Sequence, residues 1–302
     1  MKVYTLTLSP AYDVHAVCED FSAGKENLVR LTSRDAGGKG INISRALLAM
    51  GIQTTPVVLL GNENSREYEA ELSKCGLSPV IIRTDGRIRE NLTLHHGESE
   101  TRISYRGFDA PSDLIDKIRE AISPAPCDIF TLTGRLPEGI CPNDLLPYLE
   151  ELRDKGVKIV VDSRSYTADD LKALAPWLIK PNREELQGYI DGDISTLEDA
   201  VWYADEIREL TGKYALVTFD SDGAALIQQD GTKILHAPKL NPVSTIGAGD
   251  AAIAGFIYAA ICGKSEPIAL RHAIAFGSAA TLTEGTAPPR RDDINTILNK
   301  LI

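Results

Sequence analysis

Cysteine is scarce and scattered in this chain. The five residues Cys18, Cys75, Cys127, Cys141 and Cys262 are odd in number and never spaced C-x-x-C. That pattern excludes a disulfide framework and a thiolate zinc site, and it fits a reducing compartment. Positive charge is also in deficit: 32 Lys and Arg stand against 43 Asp and Glu, a formal net charge of −11. With no basic stripe, no nucleic-acid partner is expected, although a phosphate substrate needs only a few placed cations. Long hydrophobic runs are missing too. The longest, residues 251–262, is too short to span a bilayer. The opening MKVYTLTLSPAYD lacks the apolar core of a signal peptide and reads as a strand. The expected location is the cytoplasm, with no membrane partner. There is no H-E-x-x-H spacing for a metalloprotease site, no internal repeat and no low-complexity linker.

What is present is an ordinary composition for a globular chain of 302 residues, 43% hydrophobic and 25% charged, long enough to bury a sizeable core. Strand-like runs (VYTLTLS, TTPVVLLG, DIFTLTG, VKIVVDS, YALVTFD) alternate with helical ones such as GINISRALLAMG, CPNDLLPYLEELRDKG and TLEDAVWYADEIRELTG. This rhythm predicts an α/β fold with a mainly parallel sheet and helices on both faces. One segment breaks it. ENLTLHHGESETRISYRGF reads as a hairpin around the polar turn His96-Gly97-Glu98-Ser99-Glu100, with Leu92 and Leu94 sharing a face, as do Ile103 and Tyr105. It is expected to form a small side sheet, acting as a lid, with strands from about residues 11 to 34. A late helix covers PIALRHAIAFGSAATLTEG, and TAPPRRDD is expected to end the compact part.

Three glycine- or proline-marked motifs carry the chemistry. AGGKGIN, residues 36–42, places three glycines and a lysine before a helix, so backbone can approach a ligand beside a cation. It is not a P-loop, since Lys39 lacks the following Ser/Thr; the plain alternative is a flexible turn and helix start. Asn42 adds a two-way hydrogen bonder suited to sugar hydroxyls. LIKPNREEL, residues 178–186, sets Asn182 and Glu185 three apart at a helix start. That pair can serve a hydrated Mg²⁺ near nucleotide phosphates, or can simply be a capping box.

The third motif is STIGAGDAAIAGF, residues 244–256. GAGDAA formally satisfies G-x-G-x-x-A, but the two prolines and missing buried strand before it make a dinucleotide site a poor fit. The amides of Ala248, Gly249 and Asp250 can instead form a nest for a transferring phosphoryl group, with Asp250 accepting the proton of an attacking hydroxyl. An N-capping aspartate is the competing explanation. Asp13, just after the first strand, and Arg87 and Arg89, before the hairpin, are further candidates for a polar or phosphate-binding site.

In this order, GGKGIN, KPNREEL and STIGAGDAAIAGF resemble the ribokinase-like (PfkB) carbohydrate kinases, over essentially the whole chain. The resemblance implies a single three-layer α/β/α domain over residues 1–302, with lid strands inserted at about 11–34 and 88–107. It implies Asp250 as catalytic base, with Gly247, Ala248 and Gly249 as anion hole. Asp13, Gly38 and Asn42 would hold sugar hydroxyls, and Lys39 and Arg89 the phosphate the sugar already carries. Asn182, Thr218 and Gly223 would lie on the ATP side, with Glu185 reaching Mg²⁺ through water. LTLSPAYD, APWLIKPNREEL and VSTIGAGD favour the branch that phosphorylates ketohexose phosphates: fructose 1-phosphate to fructose 1,6-bisphosphate first, tagatose 6-phosphate next. ATP and Mg²⁺ are the expected cofactors, and a homodimer through the lid the expected assembly. A plain sugar or nucleoside acceptor, or a non-catalytic sugar-phosphate sensor, are the rivals. The chain departs from the family at Arg135, in TGRLP where SGSLP is usual, and at Arg106 and Glu90 near the lid. These changes touch the sugar-phosphate end.

Overall fold

The computed structural model describes residues 1–97 and 99–301. Glu98 of the expected hairpin turn lies outside the described residues. In chain order the strands are β1 (Val3–Thr7), β2 (Ala11–Val17), β3 (Arg30–Gly37), β4 (Thr55–Gly61), β5 (Val80–Thr84), β6 (Arg89–His96), β7 (Ser99–Ser104), β8 (Ile129–Thr133), β9 (Lys158–Asp162), β10 (Leu178–Ile179), β11 (Tyr214–Phe219), β12 (Gly223–Gln228) and β13 (Gly231–His236).

Nine of them form one sheet in the order β13-β12-β11-β10-β9-β8-β1-β4-β5. Every pair from β5 across to β11 is parallel, and β11-β12 and β12-β13 are antiparallel. The inner parallel strands β4, β1, β8, β9 and β10 are buried almost throughout because both faces are covered, while the edge strand β5 is only partly so. Successive residues supply opposite cores: Ile159 and Val161 join one, Val160 the other. The strand order reverses beside β1, whose neighbours are β4 and β8. In open parallel sheets such a reversal opens a crevice beyond the carboxyl ends of the strands, where ligands bind.

The first helix, Lys39–Ala49, ends where Gly51 takes a φ of 83° and closes the last carbonyls, as its position after the apolar run leads one to expect. The helix Ala248–Ile261 is buried nearly all round, which its unbroken small and apolar sequence requires. Gly255 lies directly against the His272 carbonyl of the following helix, Glu266–Ala280, so a side chain there would clash with backbone. No helix among the described residues is long and apolar enough to cross a membrane.

Two expectations need correcting. TLEDAVWYADEIRELTG is two short helices, Leu197–Trp202 and Ala204–Glu209, because Tyr203 leaves helical geometry to seat its ring on Gly192. The compact part continues past TAPPRRDD into a helix, Arg291–Lys300, whose Ile294 and Ile297 are buried in the second core.

The remaining four strands form a separate sheet in the order β3-β2-β6-β7. Its hairpin register pairs Leu92 with Ile103. Leu94 packs with Ala16 and Cys18, and Leu92 lies against them. By contrast Ile103 and Tyr105 are exposed, together with Leu28 and Leu31. Glu90 is explained by Arg34, which binds it at 3.1 Å and stacks its guanidinium 3.5 Å over the Tyr12 ring.

Candidate active site

Three chain segments meet at the crevice beyond β1. The first is the start of the Lys39–Ala49 helix. A Cβ at Gly38 would lie 2.7 Å from Thr7 Cγ2, and one at Gly40 would lie 2.5 Å from Thr7 Oγ1 and 2.8 Å from the Leu6 carbonyl oxygen. The glycines therefore let this helix begin in contact with the end of β1, and Lys39 and Asn42 enter the crevice.

The second segment is the turn before the Ala248–Ile261 helix. Gly247 is its N-cap, with φ 79°, and no side chain caps the helix. Asp250 is thus a residue of the first turn and not the cap. Its buried carboxylate accepts a 2.8 Å hydrogen bond from Asn42 Nδ2. The N–H groups of Gly249 and Asp250 donate to no partner among the described residues. These are the helix-start donors left open by the geometry of the α-helix, and they form an anion site.

The third comprises the ends of β9 and β10. Asp162 closes the apolar run of β9 and is buried between two lysines: Lys39 Nζ at 2.8 Å and Lys180 Nζ at 3.4 Å. Lys180 is itself buried, and its Nζ lies 3.3 Å from where a Cβ of residue 249 would sit. Glycine at 249 thereby admits the ammonium to the edge of the amide nest. A small opening lies alongside, lined by Asp162, Ser163, Lys180, Pro181, Glu185 and Tyr189.

The electrostatics separate the two carboxylates. Burial pushes Asp250 up to about 6; Lys39, Asn42 and Lys180 oppose the rise while Asp162 adds to it. Burial acts the same way on Asp162, but Lys180 and Lys39 outweigh it and hold that carboxyl below its usual range. Burial would lower Lys39, yet Asp162 and Asp250 raise it above its ordinary value. One carboxylate is fixed as a counter-ion and the other is poised to exchange a proton near neutrality.

On the small-sheet side, Asn91 Nδ2 donates to Asp13 Oδ1 at 3.0 Å, and Arg89 Nη1 donates to Asn91 Oδ1 at 2.7 Å. Asp13 also lies against Gly37, where a side chain would collide with its carboxylate. Burial raises its pKa, against the Asn91 bond and the Arg89 charge. Asn182, Glu185 and Thr218 sit at the far end. Asn182 Oδ1 accepts from the Glu185 N–H at 2.8 Å, and Glu185 Oε2 accepts from the Asn182 N–H at 3.0 Å. The capping box is therefore formed. Asn182 and Thr218 are bridged as parallel neighbours. Gly223 pairs with Phe219 across a β-hairpin, and its missing side chain makes room for the Leu235 carbonyl. Its place in the sheet accounts for it.

Asp162, Lys180 and Asn91 were not singled out by motif. The available signal was a charged residue ending an apolar strand, in IVVD and again in LIK.

A proton acceptor near neutrality, set beside open amides and two ammonium groups, suits transfer of a phosphoryl group to an alcohol. The chain matches the pfkB family carbohydrate kinase model over residues 4–293, and it belongs to that family. It is 32% identical over 283 residues to a 1-phosphofructokinase of Escherichia coli, covering 92% of this chain and 90% of that one. To the 1-phosphofructokinase of Vibrio cholerae it is 29% identical over 306 residues, covering 99% and 96%. Its fold is similar to phosphofructokinase-2 from Escherichia coli, solved in complex with substrates and products, with a TM-score of 0.91 at 24% identity over 100% and 99% of the two chains. Arabidopsis thaliana ribokinase, complexed with ribose and ATP, aligns at a TM-score of 0.78 and 20% identity over 98% of each chain.

Proposed function

We propose that this chain transfers the terminal phosphoryl group of ATP to the 6-hydroxyl of fructose 1-phosphate, giving fructose 1,6-bisphosphate. The observation that carries the chemistry is the Asp250 carboxylate, pushed up to about 6 and held by Asn42 beside the open amides of its own helix start. The choice of sugar phosphate follows the two relatives named above, both 1-phosphofructokinases.

In this reading Asp250 takes the proton of the attacking hydroxyl. The amides of Gly247, Gly249 and Asp250 receive the charge that builds on the phosphoryl oxygens, joined by that of Ala248 once it leaves its 3.4 Å bond to the Thr245 carbonyl, and Lys180 stands at the edge of that nest. Asn42 Oδ1 is buried without a partner among the described residues, so it is the natural acceptor for a sugar hydroxyl while Nδ2 orients the base. Asp13 and Gly38 complete the hydroxyl contacts, and Lys39 and Arg89 hold the ester phosphate. Asn182 and Thr218 face the nucleotide, with Gly223 behind them.

Mg²⁺ would neutralise charge on the triphosphate. Both Glu185 oxygens already accept N–H bonds, from Asn182 and from Arg164. Among the described residues no group of three His, Cys, Asp or Glu can hold a metal. The fit is therefore to a hydrated ion carried by phosphates, with Glu185 reached through water. The small sheet would act as a lid that excludes water from the transfer. Its exposed Leu28, Leu31, Ile103 and Tyr105 support pairing of two chains through that sheet. Five unpaired cysteines support a cytoplasmic location.

The test is ADP release measured over fructose 1-phosphate, fructose 6-phosphate, tagatose 6-phosphate, fructose and nucleosides. Fructose 1-phosphate should give the highest kcat/KM. A higher value for any unphosphorylated acceptor would overturn the assignment.

A further inference from the structure

β1 and β8 are paired in parallel as far as Leu6 and Leu132. Three residues further along the two segments stand Ser9 and Arg135, in the loops that follow β1 and β8. Ser9 is already the anchor of Arg89, which reaches its hydroxyl through Nε at 3.2 Å and its carbonyl through Nη2 at 3.5 Å. Gly134, immediately before Arg135, lies against Lys39: a Cβ there would be 3.9 Å from Lys39 Cγ. Arg89, Arg135 and the stem of Lys39 thus gather around the ends of β1 and β8, the Lys39 ammonium itself being turned to Asp162.

Their pairing is unequal. Lys39 has Asp162. Neither Arg89 nor Arg135 forms an ion pair with a carboxylate among the described residues, whereas Arg34, Arg83, Arg119 and Arg164 each do. Burial lowers the Arg89 pKa, and the neighbouring Arg135 charge lowers it further, with Asp13 opposing. Two guanidinium groups that repel across a gap are matched by a dianion placed between them, through charge-assisted and bidentate hydrogen bonds.

We propose that Arg135 is a specificity residue: with Arg89 it clamps the ester phosphate of the sugar substrate, and it makes that phosphate a requirement for efficient turnover. This rests on the reading of the site as a sugar-phosphate kinase. Arg135 is exposed, so its replacement should leave the fold intact.

The experiment compares wild type, R135S and R135K, with KM and kcat for fructose 1-phosphate and for fructose, and calorimetric binding of fructose 1-phosphate without nucleotide. R135S should raise KM for fructose 1-phosphate by about ten- to a hundredfold, the loss of one charge-assisted contact. Its kcat should stay within about threefold, and its preference over plain fructose should fall by the same factor as the KM change. R135K should recover part of the binding. An unchanged KM, binding constant and preference in R135S would remove Arg135 from the clamp while leaving the kinase assignment standing. Failure of the wild type to bind or phosphorylate any sugar phosphate would overturn both.

Discussion

Asn42 and Asp250 lie 208 residues apart in the chain and share a 2.8 Å hydrogen bond, Asn42 Nδ2 donating to Asp250 Oδ2. The bond ties the start of the early helix to the start of the late one, and it commits the Asn42 amide to the ionised form of Asp250. A hydrogen bond to the charged form favours that form.

The pH profile should show this directly. Asp250 accepts a proton only when ionised, and its value is about 6. The expected kcat/KM falls tenfold per unit on the acid side of that value and is flat above it. N42A removes a bond that lowers the Asp250 pKa, so its acid limb should move to higher pH. An unshifted limb in N42A would separate the two residues.

Burying Asp250 costs stability while it is charged. Its folded value lies above the ordinary value of 3.8. The contribution is therefore favourable below about pH 4 and is lost as pH rises through about 6. D250N should be more stable than wild type at pH 8, by about 3 kcal/mol, with little difference at pH 4. Urea denaturation at the two pH values measures it.

Asp162 has the opposite sign. Lys180 and Lys39 hold its pKa below the ordinary value despite burial, so its contribution is present at neutral pH and lost on acidification. D162N would leave two ammonium groups facing one another, one of them buried. A loss of about 3–5 kcal/mol is expected from breaking such a buried pair. D162N/K180M should be less destabilised than D162N alone, as a double-mutant cycle would read.

Gly249 matters for the amide nest and not for the fold. An added Cβ would press on Lys180 at 3.3 Å to Nζ and 3.5 Å to Cε, while alanine is otherwise a better helix residue than glycine. G249A should keep or raise Tm and lose about tenfold in kcat, in line with displacement of one donor or cation from the transition state. Loss of Tm with unchanged kcat would reverse that assignment.

Local chemistry made part of this legible beforehand. Glycine punctuation and apolar periodicity placed the parallel strands, the Lys39–Ala49 helix and the buried Ala248–Ile261 helix. GAGD announced a nest with a carboxylate. The capping competition at Asn182 and Glu185 stayed open, because the same spacing serves both uses; the structure forms the cap. Asp162 and Lys180 were invisible to motif reasoning. Their roles arise from lateral pairing of β9 with β10 and from the approach of Lys39, which lies 123 residues from Asp162 in the chain. Tyr203 broke an apparently continuous helix through a packing contact with Gly192, where tertiary structure overrides local propensity.

The role of Asp250 rests most directly on ADP release from fructose 1-phosphate by wild type and D250N, with the variant's fold and its sugar-phosphate binding checked in parallel. The expected result is a folded, binding-competent variant whose kcat is lower by about a hundred- to ten-thousandfold. Near-normal turnover in D250N would contradict Asp250 as the base that accepts the hydroxyl proton.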